Sequence, residues 1–244
     1  MPLEVLRPSP ETALDSFLVE AGNALNDAFS EYRNEPILFL SSGGSSLPLL
    51  DLINSSRIGP NVTVGALDER FSLNPSENNF AQIAGSKFYE TAKSKGVSFI
   101  DTRVRPEETQ EELFKRYEAS LKEWFFKNPN GKVIATVGIG PDGHASGIMP
   151  YPEDPQKFKE LFEGDNLVVS YDAFGKNPFS KRVTTTVNLI RKIDKAICYV
   201  VGDGKKNAIQ KVLSPNGSVS ETPARVLHEI RGKALLFTDQ TIVY

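Results

Sequence analysis

The sequence predicts an α/β fold: an open, mainly parallel sheet covered by helices on both faces. Three observations predict it. Short apolar runs alternate along the chain with longer stretches of helical periodicity, the pattern of strands buried between helical layers. Several of those runs end in glycine-rich, serine-rich or charged segments, as strands do at the ligand edge of open α/β sheets. The 244 residues, 39% hydrophobic, supply enough apolar surface for one sizeable core. A single domain over residues 1–244 is expected, without internal repeats or low-complexity tracts.

The elements follow in order. From Pro10 to Tyr32, Ala13, Phe17, Ala21, Leu25 and Phe29 recur every fourth residue and predict a helix; Glu35 to Leu40 is an apolar strand ending in SSGGSS. Leu47 to Ile53 reads as a short helix, and Val62 to Leu67 as a strand that delivers the charged triplet Asp68-Glu69-Arg70 at its end. Phe80 to Lys95 is helical, Val97 to Ile100 a strand, and Pro106 to Phe126 a long amphipathic helix carrying Leu113, Tyr117, Leu121 and Phe125 before the NPNG turn. Val133 to Ile139 is a strand leading to His144. Pro141 to Pro155 and Asp172 to Ser180 read as loops around a strand at Leu167 to Tyr171. Val183 to Leu189 is open between strand and helix. Ala196 to Val201 is a strand before the helix-like GDGKKNAIQKVL, and Pro223 to Ile230 and Ala234 to Thr238 close the chain as helix and strand.

Composition narrows the function classes. With 28 Lys plus Arg against 31 Asp plus Glu, the formal net charge is -3, so no global charge recruits nucleic acid. Cys198, the one cysteine, lies inside the apolar run KAICYVVG and reads as a buried small side chain, in keeping with a reducing, cytoplasmic setting. The N-terminus shows no signal-peptide pattern, and the apolar stretches fall short of the roughly 20 residues a membrane helix needs. No membrane partner is expected.

Two kinds of loop carry chemistry. Ser42, Gly43, Gly44, Ser45 and Ser46 follow a strand and precede a helical segment, so small residues bring backbone N–H groups and hydroxyls close to an anion. The loop lacks the lysine of a nucleotide P-loop and is not itself a GxGxxG fingerprint, so a small phosphorylated ligand fits it better than a nucleotide cofactor. Its alternative is an ordinary strand-to-helix turn. Arg70 stands at an expected strand end, where it meets the ligand or serves as counter-ion of Asp68 and Glu69; Arg182 precedes TTTVNLI and forms a fork with phosphate or a surface salt bridge; Lys205 follows an apolar run and can reach into a strand-end pocket. In VGIGPDGHASGIMP, Asp142 and His144 flank Gly143; His144 is a general base, a hydrogen-bonded loop histidine or a metal ligand, and Asp142 caps the next segment, orients His144 or binds a substrate hydroxyl. The other histidine, His228, falls in RVLHEI and reads as a surface or packing residue. No HExxH spacing and no GxSxG elbow occur, so neither a metal site nor an acyl-serine is expected, and water attack is the simpler chemistry.

The ordered set LSSGGSSLPLLDLI, LDERF, GIGPDGHASGIMP, RVTTTVNLI and VGDGKKNAI resembles successive motifs of the 6-phosphogluconolactonase group within the glucosamine-6-phosphate isomerase/deaminase family, from Phe39 to Ala208. The resemblance implies a three-layer sheet of the NagB/RpiA/CoA transferase-like kind, with a phosphorylated sugar lactone at its carboxyl edge and no cofactor. It also implies hydrolysis of 6-phospho-D-glucono-1,5-lactone in the oxidative pentose phosphate pathway. Carried onto this chain, it places Ser42 to Ser46 in the phosphate-side loop, Arg182 and Lys205 at the phosphate end, Asp68 and Arg70 in an acidic-basic strand-end motif, and His144 at water activation. Asp68 then orients His144 or a sugar hydroxyl, and backbone N–H groups from Gly138 to Gly143 are candidate oxyanion donors. Related deaminases carry a glutamate shortly after the histidine, where this chain has Ala145-Ser146-Gly147-Ile148-Met149. That favours lactonase over glucosamine-6-phosphate deaminase; a noncatalytic sugar-phosphate sensor is the third reading. Oligomeric state is left open.

Overall fold

The computed structural model describes residues 3–9 and 11–241; Pro10, where the first expected helical stretch begins, lies outside them. The first half runs β1 (Leu3–Leu6), α1 (Leu14–Glu31), β2 (Ile37–Ser41), β3 (Val62–Ala66), β4 (Asp68–Arg70), α2 (Asn79–Ala84), α3 (Lys87–Ser94), β5 (Ser98–Phe99) and α4 (Gln110–Lys127). The second half runs β6 (Lys132–Thr136), α5 (Pro155–Phe162), β7 (Val168–Asp172), β8 (Lys181–Thr185), α6 (Val187–Ile190), β9 (Lys195–Tyr199), α7 (Lys206–Leu213) and β10 (Lys233–Phe237).

Seven strands form a parallel sheet in the order β1-β10-β9-β6-β2-β3-β5. Side chains alternate across it as the strand period dictates: Leu38 and Leu40 of β2 face the core beneath α4, whereas Ile37 and Phe39 face the core beneath α1 and α3. Phe39 meets Phe29 and Phe88 edge-on, at ring separations of 5.3 and 6.4 Å. On the opposite face Tyr117 of α4 is fully buried and donates its hydroxyl to the Ala66 carbonyl. Both faces of every central strand are therefore apolar, which is why these segments read as continuous hydrophobic runs.

Strand order determines where a ligand can sit. From β2 the chain proceeds to β3 and β5 on one side, and from β6 to β9 and β10 on the other. The loops leaving the adjacent carboxyl ends of β2 and β6 therefore diverge, opening the crevice that this topology produces at its switch point.

Several expectations change. Asp68-Glu69-Arg70, expected as the charged end of the strand at Val62 to Leu67, is a separate strand, β4, paired antiparallel with β8 in a second sheet, β4-β8-β7, which also takes the strand expected at Leu167 to Tyr171. Val183 to Leu189 is strand and helix in succession, the change occurring at Thr186, whose hydroxyl caps the short α6. The helix expected over Phe80 to Lys95 breaks at Gly85-Ser86, because Ser86 caps a new start at α3. Leu47 to Ile53 and Pro223 to Ile230 fall in tighter 3-10 turns, Gly44–Leu52 and Pro223–His228. Two elements had not been anticipated: β1, only four residues long, and α5, signalled by the cap Asp154, Pro155 at its first turn, and Phe158 and Phe162 four apart.

Candidate active site

A cleft of about 300 Å³ opens over the carboxyl ends of β2 and β6. Ser42, Gly43, Gly44 and Ser45 form one wall, and Gly138 to Pro141 with His144, Ser146 and Gly147 form the opposite one. The walls are stitched together: the Ser42 N–H donates to the Thr136 carbonyl at 3.0 Å, and the Gly138 N–H to Ser42 Oγ at 3.3 Å. Gly44 adopts φ +62°, a left-handed turn that a side chain would strain, and it opens the 3-10 segment at the cleft rim. The second sheet contributes Asp68, Arg70 and Arg182, and the loop after β9 contributes Lys205.

His144 is held by its near neighbour. Its Nδ1 lies 2.6 Å from Asp142 Oδ1, and because an ionised carboxylate only accepts, Nδ1 carries the proton and Nε2 is left as the basic nitrogen. The Asp142 carboxylate also accepts the His144 backbone N–H at 3.2 Å. Burial works to raise the Asp142 carboxyl, but the hydrogen bond and charge of His144 outweigh it and hold it below the ordinary range. The imidazole lies so close over Gly140 that a Cβ there would sit 2.1 Å from the ring. Among the described residues, His144 Nε2 has no protein partner.

Charge in the cleft is unequal: Arg70, Arg182 and Lys205 against the single carboxylate of Asp68. Arg182 Nη1 donates to Asp68 Oδ2 at 2.8 Å, with side-chain exposures of only 4% and 9%, so this pair is buried. The same guanidinium donates through Nε to the Phe179 carbonyl and through Nη2 to Asn177 Oδ1, each at 3.1 Å. Among the described residues Arg70 pairs with no carboxylate; its guanidinium stands 4.5 Å over the Phe179 ring, and its Nε is buried without a partner. Lys205 Nζ donates to the Ile139 carbonyl at 2.6 Å. Burial lowers the Lys205 ammonium, partly offset by the Asp142 charge, and an incoming anion would reverse that cost.

The structure redistributes roles among the residues singled out from sequence. Asp142, not Asp68, orients His144; Asp68 is the counter-ion of Arg182. Arg182 thereby donates to three protein acceptors while still lining the cleft. Asp142 and Ser46 are not among the residues that line the cleft, while Ser42, Gly43, Gly44, Ser45, Asp68, Arg70, His144, Arg182 and Lys205 line it. Three of the expected oxyanion donors are spent within the fold: Gly138 on Ser42, Gly140 on the His144 carbonyl at 2.8 Å, and Gly143 on the Gly140 carbonyl at 3.0 Å. Glu69 proves to be a buried tie, accepting from the N–H groups of Arg70, Asn79 and Phe80 and from the Thr102 hydroxyl at 2.6–2.9 Å. Burial pushes its carboxyl up to about 8, against those donors. His228 packs outside the cleft with Nε2 2.9 Å from the Val212 carbonyl.

Sequence reasoning missed Asn79, Ser146, Asn177 and Phe179, all on the cleft wall. For Ser146 a signal existed, two residues beyond His144 in the same glycine-rich turn; for the others only the fold brings them near.

A family model described as Glucosamine-6-phosphate isomerases/6-phosphogluconolactonase matches residues 9–236. A Dictyostelium discoideum protein named "Probable 6-phosphogluconolactonase" is 25% identical over 207 residues, covering 83% of each chain. The 6-phosphogluconolactonase of Thermotoga maritima is 26% identical over 201 residues, covering 81% of this chain and 83% of its own. The crystal structure of 6-phosphogluconolactonase from Leishmania guyanensis superposes with a TM-score of 0.70 at 18% identity, over 97% of this chain and 95% of that one.

Proposed function

Because the chain belongs to the glucosamine-6-phosphate isomerase/6-phosphogluconolactonase family, we propose that it hydrolyses 6-phospho-D-glucono-1,5-lactone to 6-phospho-D-gluconate, in the cytoplasm and in the oxidative pentose phosphate pathway. The observation that carries the reading is the Asp142–His144 pair at 2.6 Å, its free Nε2 belonging to a side chain on the wall of a cation-rich cleft. An anionic, electrophilic ligand and a base aimed at water are what such a cleft serves.

Lys205 and Arg70, together with the loop at Gly44 and Ser45, anchor the phosphate. His144 Nε2 removes a proton from water as the oxygen attacks the lactone carbonyl carbon. Asp142 holds the imidazole in the required tautomer and stabilises the imidazolium that forms. The tetrahedral intermediate collapses with cleavage of the ring C–O bond, and the imidazolium returns its proton to the departing alkoxide, leaving the acid product and a neutral base. Ala145 to Met149 provide no carboxylate beside His144, which disfavours the deaminase reading.

The test is the initial rate of hydrolysis of freshly generated lactone above its spontaneous background. The intact protein is expected to show a clear enzyme-dependent rate, and His144→Ala to lower kcat about 10²–10⁴-fold with little change in KM. A correctly folded intact protein with no rate above background overturns the proposal.

A further inference from the structure

Residues Ala145 to Ile148 form a tight turn closed by the Ile148 N–H on the Ala145 carbonyl at 2.8 Å, with Ser146 at φ +51° and Gly147 at φ +71°. Two consecutive left-handed residues suit glycine or asparagine; a serine in the first position is strained. The turn cannot relax, because the Ser146 carbonyl accepts the Thr184 hydroxyl and the Gly147 carbonyl accepts the Tyr171 hydroxyl at 2.5 Å. Ser146 is 3% exposed, lines the same cleft as His144, and its hydroxyl has no hydrogen-bond partner. A strained backbone retaining an unpaired buried hydroxyl in the same cleft as His144 is two costs at one residue.

The other donors around the cleft are largely spent. Gly138, Gly140 and Gly143 give their N–H groups to the fold, Arg182 faces Asp68, and Lys205 rests on the Ile139 carbonyl. We infer that Ser146 is a catalytic residue whose Oγ–H donates to the lactone carbonyl oxygen as it becomes an oxyanion. This rests on the lactonase reading above. The step moves no proton to or from Ser146: water loses its proton to His144, the carbonyl π electrons move onto oxygen, and Ser146 contributes one hydrogen bond that strengthens as that charge grows. When the ring C–O bond breaks, the carbonyl re-forms and the bond weakens again.

The strain makes the inference testable with opposite signs in two measurements. Ser146→Gly suits the left-handed turn, so its Tm holds or rises by up to about 4 °C, while kcat falls on the order of 10²-fold at nearly constant KM. Ser146→Ala keeps the strain and removes only the unpaired hydroxyl, so kcat falls equally with a smaller gain in Tm than in Ser146→Gly. Ser146→Asn tolerates the turn and restores an N–H donor, and recovers part of the lost kcat. If Ser146→Gly is as active as the unaltered chain, or loses KM rather than kcat, the inference is overturned while the lactonase reading stands. If the unaltered chain shows no lactone turnover, the lactonase reading falls, and this inference with it.

Discussion

At the scale of single residues, Asp142 and Gly140 set what His144 can do. Asparagine at 142 can present its amide N–H to Nδ1 and stabilise the wrong tautomer, so Asp142→Asn is expected to lower kcat by about 10²-fold with KM little changed, read from initial rates. The half-exposed pair, at 25% and 42% side-chain exposure, makes this smaller than in a sealed site. The same substitution has a signature in stability. The folded chain holds the Asp142 carboxyl below its ordinary value of 3.8, so its contribution is present above that value and is lost as pH falls through the lower folded one. Urea midpoints measured down the acid range should therefore fall less steeply in Asp142→Asn than in the unaltered chain. Gly140→Ala would place a methyl 2.1 Å from the imidazole. It is expected to abolish most turnover by displacing the base, with circular dichroism unchanged.

At the scale of elements, the pairing of β4 with β8 matters most. It sets Arg70 opposite Arg182 and Asp68 opposite Thr184, and so delivers a buried ion pair to the cleft wall. Removing one member leaves the other charge buried alone, which costs about 3–5 kcal/mol. Arg182→Ala is thus expected to lose that much in urea denaturation before any effect on substrate binding is considered. Lys205→Ala breaks no ion pair among the described residues, and should raise KM for the phosphorylated substrate with stability nearly intact. A Tm unchanged in Arg182→Ala would contradict the counter-ion role. Helix α4 illustrates purely local determination: Thr109 and Glu112 form a reciprocal capping box just where the amphipathic period begins, about 1 kcal/mol of cap that Thr109→Ala would remove.

At the scale of the whole molecule, the two apolar cores share β2, β6 and β9, one on each face, so neither can be lost alone. Calorimetric unfolding is expected to show one transition with equal calorimetric and van't Hoff enthalpies; two resolved transitions would divide the chain. Legibility in the sequence follows the range of the interactions. The strand and helix alternation, the glycine-rich turn around His144, the loop at Gly43-Gly44 and the buried Cys198 depend on periodicity and turn chemistry within a few residues, and they were readable. Even Asp142 beside His144 was in view, two positions away, though only the turn geometry at Gly143, with φ +88°, decided that the side chains meet. Roles that depend on distant partners were not readable. Asp68 and Arg182 lie 114 positions apart in the chain, and a charge gives no local sign of whether it will face solvent, ligand or counter-ion. The sequence by itself determined the layered fold, the glycine-rich turn that carries His144 and the kind of ligand its loops suit. Tertiary structure alone decided which cations are neutralised and which hydroxyls are left unpaired, because burial and ion pairing arise only when strands remote in sequence are brought into register.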